Sequence, residues 1–158
     1  MKKKILDVCC GGRMFWFNKK HPNALYIDNR KVRPQKLANR QNFSVQPDEM
    51  GDFRKLRFRT GTFSLVVFDP PHIKRNGKTG WMAKKYGKLN KKTWKSDIKK
   101  GFSECFRVLK PDGVLIFKWS EHEIPLKEVL SLTVRQPLFG HTSGGRGGKT
   151  HWIAFMKL

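Results

Sequence analysis

The sequence predicts an α/β protein with a mostly parallel sheet flanked by helices and an antiparallel strand pair at the carboxyl end. Three observations carry this expectation. Short apolar runs such as Ile5–Val8, Ala24–Asp28 and Phe63–Phe68 alternate with segments of helical spacing, the pattern of strands joined by crossover helices. Several of these runs stop at an acid and a turn signal. The last two runs have no helix between them, so they are expected to pair antiparallel.

Taken in order, Ile5-Leu6-Asp7-Val8 reads as the first strand, and Gly11-Gly12 makes the turn after it. Met14 to Lys20 is predicted as a short helix stopped by His21-Pro22-Asn23. Ala24 to Asp28 is the second strand. Pro34 to Asn42 is predicted as a helix with proline in its first turn, where the missing N–H costs nothing. Phe43 to Gln46 is expected as the third strand, and Asp52 to Phe58 as a loop or weak helix. Phe63 to Phe68 is the fourth and clearest strand, ended by two prolines that cannot donate a ladder hydrogen bond.

A polar stretch from Ile73 to Lys92 follows, with eight Lys or Arg residues and with Trp81 and Tyr86 between them. Thr93 is a plausible N-cap for a helix to about Leu109, with Ile98, Phe102, Cys105, Phe106 and Leu109 on its apolar face. Pro111-Asp112-Gly113 is expected as a turn into a fifth strand, Val114 to Phe117. Ile124 to Leu130 reads as a short helix. Ser131–Arg135 and Trp152–Met156 are the expected terminal pair. Their connection holds a glycine-rich stretch at 140–150 that is expected to be mobile.

The length of 158 residues fits a single domain spanning 1–158. Its charge is extreme: 34 basic against 12 acidic residues, a net charge of +22 spread along the chain. Such a chain repels itself, so an anionic partner is expected, with DNA or RNA ahead of an acidic membrane surface. No basic amphipathic helix with a clean apolar face supports the membrane alternative. Cys9, Cys10 and Cys105 make no disulfide framework and lack zinc-type spacing, which fits a reducing cytoplasm and no metal. Asp7 interrupts the first apolar run too early for a signal peptide, and no segment approaches the length of a membrane span.

The strand ends carry the chemistry. Asp69-Pro70-Pro71-His72 holds an acid on a stiff, non-helical turn where open α/β sheets place their ligands. Asp-Pro is also ordinary turn chemistry, so the tetrapeptide needs its context. After the first strand, Asp7-Val8-Cys9-Cys10-Gly11-Gly12-Arg13 supplies a glycine turn that lets a ligand approach the backbone. Asp28 closes the second strand, 21 residues after Asp7, where an acid can accept from ribose hydroxyls. Asp52 follows the third.

With this ordered series the chain resembles the class I S-adenosylmethionine-dependent methyltransferases, specifically the amino-methyltransferases of nucleic acids with a D/N/S-P-P-aromatic motif after strand four. The resemblance covers nearly the whole chain and implies a Rossmann-like fold with S-adenosyl-L-methionine as cofactor. It implies that Asp7, Cys9 and Gly11 surround the methionine part, that Asp28 binds the ribose, and that Asp52, or less favourably Asp48, contacts the adenine. It also places Asp69 beside the cofactor and makes Asp69, Pro70, Pro71 and His72 the catalytic motif. Two positions depart from the family pattern. Cys9 and Arg13 stand where the first and third loop glycines are usual, and His72 stands where Tyr, Phe or Trp is usual. An imidazole there can stack on a base, hydrogen-bond, or titrate near neutrality.

The motif suits a nucleobase amine, whose lone pair is delocalised into the ring. Hydrogen bonds to the Asp69 carboxylate and the Pro70 carbonyl would draw that lone pair out and aim it at a sulfonium methyl. The expected activity is methylation of an exocyclic base amine, adenine N6 in DNA first and RNA second. A fold retained only for nucleic-acid binding is the non-enzymatic rival. Lys74, Arg75, Lys78, Trp81, Lys84, Lys85 and Tyr86 are expected to clamp the nucleic acid, together with Arg146 and Lys149. A nucleophilic-cysteine mechanism would need a Pro-Cys after strand four, which is absent. Lys118-Trp119-Ser120-Glu121, after the fifth strand, faces the same sheet edge, with its role open.

Overall fold

The computed structural model describes residues 3–37, 42–74, 81–145 and 148–158. The strands are β1 (Ile5–Asp7), β2 (Ala24–Asp28), β3 (Val32–Lys36), β4 (Asn42–Val45), β5 (Glu49–Met50), β6 (Phe63–Phe68), β7 (Leu109–Ser120), β8 (Phe139–Gly145) and β9 (Gly148–Met156). The helices are α1 (Trp81–Tyr86), α2 (Trp94–Val108) and α3 (Leu126–Leu130). Seven strands form one sheet in the order β5-β2-β1-β6-β7-β9-β8, and β3-β4 form a separate ribbon. Strands β5, β2, β1, β6 and β7 run parallel, whereas β9 pairs antiparallel with both β7 and β8. The α/β class and the antiparallel terminal pair are therefore as the sequence predicts. The chain starts at the centre of the sheet, winds outward to β5 and returns to β6, so the strand order reverses beside β1. A crevice opens at such a point, at the carboxyl ends of the strands.

The main core lies on one face of the sheet. Leu6, Ile27, Val66, Phe68, Leu115, Phe117 and Phe155 point to it, and Ile98, Phe102, Cys105 and Phe106 of α2 close over them. Phe102 meets Phe68 edge-on at 5.5 Å and packs tilted against Phe117 at 4.8 Å. Val129 of α3 joins the same core. Thr93 starts α2 without capping its backbone. Its hydroxyl instead donates to Asp97 Oδ2 at 2.7 Å.

The opposite face is different. Strand register aligns Ile5, Leu65, Val114 and Met156 in one row, and Val67, Ile116, Ala154 and Phe139 in the next. Among the described residues no helix covers these rows, because α2 and α3 lie on the other face. Phe139 stays 72% exposed.

Two predicted helices would have lain on the connections to β2 and β5, and neither forms. Residues 14–20 make a chain of turns and bends. The Trp16 indole is tied back to Asp7 and Asn18 accepts from the Lys20 amide, which leaves Phe17 fully exposed. Residues 34–42 belong to the β3-β4 ribbon where they are described. The segment has too few apolar residues for a helical stripe, and Val32, Leu37, Phe43 and Val45 collect on one side of the ribbon instead. Pro34 cannot donate to the ladder and falls where the register shifts, between Val32 and Gln35. The predicted third strand thus lies in the ribbon, and two residues, Glu49–Met50, take its place in the main sheet.

Further differences lie toward the carboxyl end. Pro111-Asp112-Gly113 is a bulge within a longer β7, with Asp112 at φ 60°. Residues 131–135 form turns and bends, and β8 begins at Phe139. The glycine-rich stretch expected to be mobile is a regular hairpin in its described part, with Ser143 opposite Thr150 and Gly145 opposite Gly148. Composition alone cannot tell a glycine-rich strand from a linker.

Close packing of α2 on β6 depends on Gly101, where a Cβ would sit 2.6 Å from Phe68 Cζ and 2.7 Å from Phe53 Cδ2. Gly101→Leu is expected to lose about 2 kcal/mol despite its better helix propensity, because overpacking a tight core costs ~1–3 kcal/mol or more. Urea unfolding monitored by circular dichroism measures this.

Candidate active site

The cleft at the strand-order reversal is lined by Cys9, Gly11, Asp28, Asp69, His72 and Lys118, among others. Its floor is the turn after β1. Gly11 adopts φ 48° and Arg13 φ 53°, so Arg13 holds the left-handed backbone that a glycine would adopt readily. The arginine side chain holds that turn in place. It donates to the Lys19 carbonyl at 2.6 Å, the Gln46 carbonyl at 2.8 Å and Asp48 at 2.8 Å, and it stacks 3.7 Å over the Tyr26 ring. The ribbon closes the outer side, with Phe43 only 3.2 Å from where a Gly12 Cβ would be.

Asp28, at the end of β2, is buried. The Gly11 amide donates to its Oδ2 at 2.9 Å, and the Arg30 amide donates to its Oδ1 at 2.9 Å. Arg30 Nε also donates to Oδ1 at 3.3 Å, which leaves about one of the carboxylate's four acceptor sites for a hydroxyl in the cleft. Arg30 Nη1 donates to the Lys84 carbonyl at 3.0 Å, which fastens the end of α1 over the site. Lys85 and Tyr86 of α1 line the cleft, and Gly87 packs with positive φ against Pro71 and Arg30.

Asp69, Pro70, Pro71 and His72 form the opposite wall. Lys118 Nζ donates to Asp69 Oδ2 at 2.9 Å. Burial raises the Asp69 carboxyl above the usual aspartate range, and the Lys118 charge opposes that rise. His72 differs from expectation. It is buried against Tyr86 and Trp119, and burial together with the Lys118 and His122 charges lowers its pKa to about 4 despite an opposing Glu123. It is therefore a neutral imidazole near pH 7, not a group titrating there.

The other predicted residues divide. Cys9 lines the cleft, but Asp7 does not. Asp7 is fully buried beneath the turn, accepting from the Trp16 indole at 2.8 Å and the Cys9 amide at 3.3 Å. Asp52 does not line the cleft either, contrary to its expected adenine contact. Its carboxylate is taken by Arg54 at 2.6 Å, and Asp48 is taken by Arg13. Gly51 and Phe53 line the cleft on that side instead. Burial pushes the Cys10 thiol up to about 12 and the Cys9 thiol well above its ordinary value, so neither is a ready thiolate.

Lys74 lies over the Trp94 ring at 5.0 Å and Lys84 is exposed on α1. Lys149 is exposed on β9 and does not line the cleft. Arg75, Lys78, Arg146 and the Trp81 side chain lie outside the described residues. Sequence reasoning missed Phe15, Arg30 and Phe53 as cleft residues. The polar turn Asn29-Arg30 directly after Asp28 was the available signal for Arg30.

Among the described residues no group of His, Cys, Asp or Glu could hold a metal ion. No described helix is long and apolar enough to cross a membrane.

Asp7 links the site to stability. Burial raises its pKa to about 7, against a lowering contribution from the Trp16 hydrogen bond. The folded state thus keeps a proton that the unfolded chain releases near pH 4. The stability that this proton contributes is full below that pH and is lost as pH rises through about 7. The thermal midpoint is expected to fall between about pH 4 and 7, and Asp7→Asn to reduce that fall. Calorimetric scans across pH check this.

No protein-family model matches the chain, and no curated protein matches it. Solved structures do share its architecture. It is similar to a SAM-dependent methyltransferase from Methanosarcina mazei, at 14% identity and TM-score 0.58 over 100% of this chain and 94% of that one. It is similar to the N-methyltransferase NodS from Bradyrhizobium japonicum, at 11% identity and TM-score 0.59 over 98% and 85%. TrmN from Thermus thermophilus aligns with 99% of this chain over 44% of its own length, at 14% identity and TM-score 0.60. The chain has the Rossmann-like fold that these methyltransferase structures share.

Proposed function

We propose that the protein is an S-adenosyl-L-methionine-dependent methyltransferase acting on an exocyclic amino group of a nucleic-acid base, adenine N6 in DNA before RNA. The observation that carries this reading is one cleft that joins Gly11 and Asp28 on one side to Asp69-Pro70-Pro71-His72 on the other. Solved methyltransferases of the same fold support the cofactor. The net charge of +22 supports a polyanionic substrate.

The cofactor fits the donor set present. Gly11 and Cys9 offer a turn without bulk toward the cleft, Asp28 has about one acceptor site left for a ribose hydroxyl, and Phe53 gives an apolar side for the adenine. When bound, the cofactor supplies an electrophilic methyl on a sulfonium. Asp69 and the Pro70 carbonyl accept the two amine hydrogens, which localises the nitrogen lone pair and orients it. As the new N–C bond replaces the sulfonium S–C bond, which would leave a neutral thioether, the amine would shed one proton, and Asp69, whose carboxyl is already raised by burial, is placed to take it. His72, neutral and packed between Tyr86 and Trp119, gives the base a flat wall without a competing charge. Lys84, Lys85 and Lys74 supply phosphate contacts around the entrance. A base in a duplex must first be extruded.

The deciding experiment is labelled methyl transfer to DNA, ribosomal RNA, transfer RNA and protein in parallel, beside calorimetry with S-adenosyl-L-methionine. Label on an adenine amine is the expected result, and label on RNA alone would select the RNA reading. Label only on protein would refute the substrate class, and absence of cofactor binding would leave a nucleic-acid-binding protein. Asp69→Ala is expected to lower transfer by at least about a hundredfold while cofactor affinity changes little. Unchanged activity in this variant would remove Asp69 from the mechanism.

A further inference from the structure

Lys118 is a charged wall of the cleft with no part in the transfer as described. It sits on β7, and its Nζ donates to Asp69 Oδ2 at 2.9 Å. The same Nζ lies 5.6 Å from the centroids of both the Phe15 and the Trp152 rings, which themselves meet edge-on at 5.1 Å. A lysine stem is entropically costly to fix, and here a carboxylate and two aromatic rings hold it. Both side chains of the ion pair are only 20% exposed.

The arrangement has unused hydrogen-bonding capacity. An ammonium has three N–H groups, and one of them goes to Asp69. Among the described residues Asp69 Oδ1 accepts no hydrogen bond, so the pair presents an acceptor beside a donor. That is the complement of an amidine edge, in which the carbon bearing the amine also bonds a ring nitrogen with a lone pair. Adenine has this edge at N6 and N1, with N7 also near, and cytosine has it at N4 and N3. An aliphatic amine offers the donor half alone and would leave Lys118 without its second partner.

We infer that Lys118 is a specificity-determining residue that donates to the ring nitrogen beside the target amine while Asp69 accepts from the amine itself. This inference rests on the base-amine reading of the site. A donor on the ring nitrogen draws charge from the amine, so Lys118 contributes selectivity and orientation, and activation stays with Asp69. The contact reaches the substrate directly, which separates it from a role in merely holding Asp69.

The test compares methyl transfer by the full chain to matched oligonucleotides carrying adenine, 1-deazaadenine, 7-deazaadenine, cytosine or 3-deazacytosine. Wild type, Lys118→Met and Lys118→Arg are measured on each. For the accepted base, one deaza replacement is expected to lower the wild-type kcat/KM by about 10- to 100-fold, the scale of a lost hydrogen bond to a charged group. Lys118→Met is expected to lose a similar factor on the natural base and almost nothing further on that deaza analogue. Lys118→Arg should keep part of the discrimination. Equal wild-type rates on natural and deaza bases would overturn the inference. So would a Lys118→Met loss of the same factor on every substrate, since that marks a residue serving only Asp69. Should the methionine variant fail to fold, the wild-type comparison decides alone. Transfer to no natural base at all would refute the base-amine reading itself, a result distinct from transfer without deaza discrimination.

Discussion

The site depends on the Asp28 carboxylate. One oxygen accepts from the Gly11 amide and so fixes the turn after β1 to the end of β2. The other accepts from the Arg30 amide, and the Arg30 side chain then reaches the Lys84 carbonyl of α1. The floor of the cleft, its side wall and the element across its entrance are therefore registered to one buried acid. The Cys10 amide adds a second tie by donating to the Ile27 carbonyl at 2.9 Å. Buried backbone N–H groups demand partners, and these bonds supply them without any helix in the β1–β2 connection.

The central strands were legible because each is a short apolar run that is interrupted by turn chemistry, and register and order then follow from alternation with crossovers. The motif residues at strand ends were legible for the same reason: Asp28 and Asp69 can only sit where their strands stop. What local pattern could not show was competition between partners. Asp52 has the right position in the chain for a cofactor contact, but Arg54 two residues later captures it. Arg13 looked like a lost glycine, and it keeps a glycine-like backbone because four partners hold its side chain. The segments 14–20 and 34–42 have helix-compatible composition but no complete apolar stripe. Tertiary contacts from Trp16 to Asp7 and across the ribbon decided their shape.

The two faces of the sheet divide the labour. On one face Phe68, Phe102, Phe117 and Phe155 interlock between the sheet and α2, and on the other Phe15, Trp16, Tyr26 and Trp152 pack together. The other face carries aliphatic rows that no described helix covers. Lys118 is held from that second side by Phe15 and Trp152, so both faces position the strand ends.

The central position of β1 also sets the order in which the molecule can be completed. Residues 5–7 are made before β6, at 63–68, which is one of their two neighbours, and before α2, at 94–108, which closes the core beneath them. Pairing across so many residues carries a loop-closure cost before it gains anything. Strand β1 therefore waits, half-paired, until β6 and α2 have been made. No partial chain ending before α2 has a closed core under the cleft, so the Asp28 side and the Asp69 side come into being together.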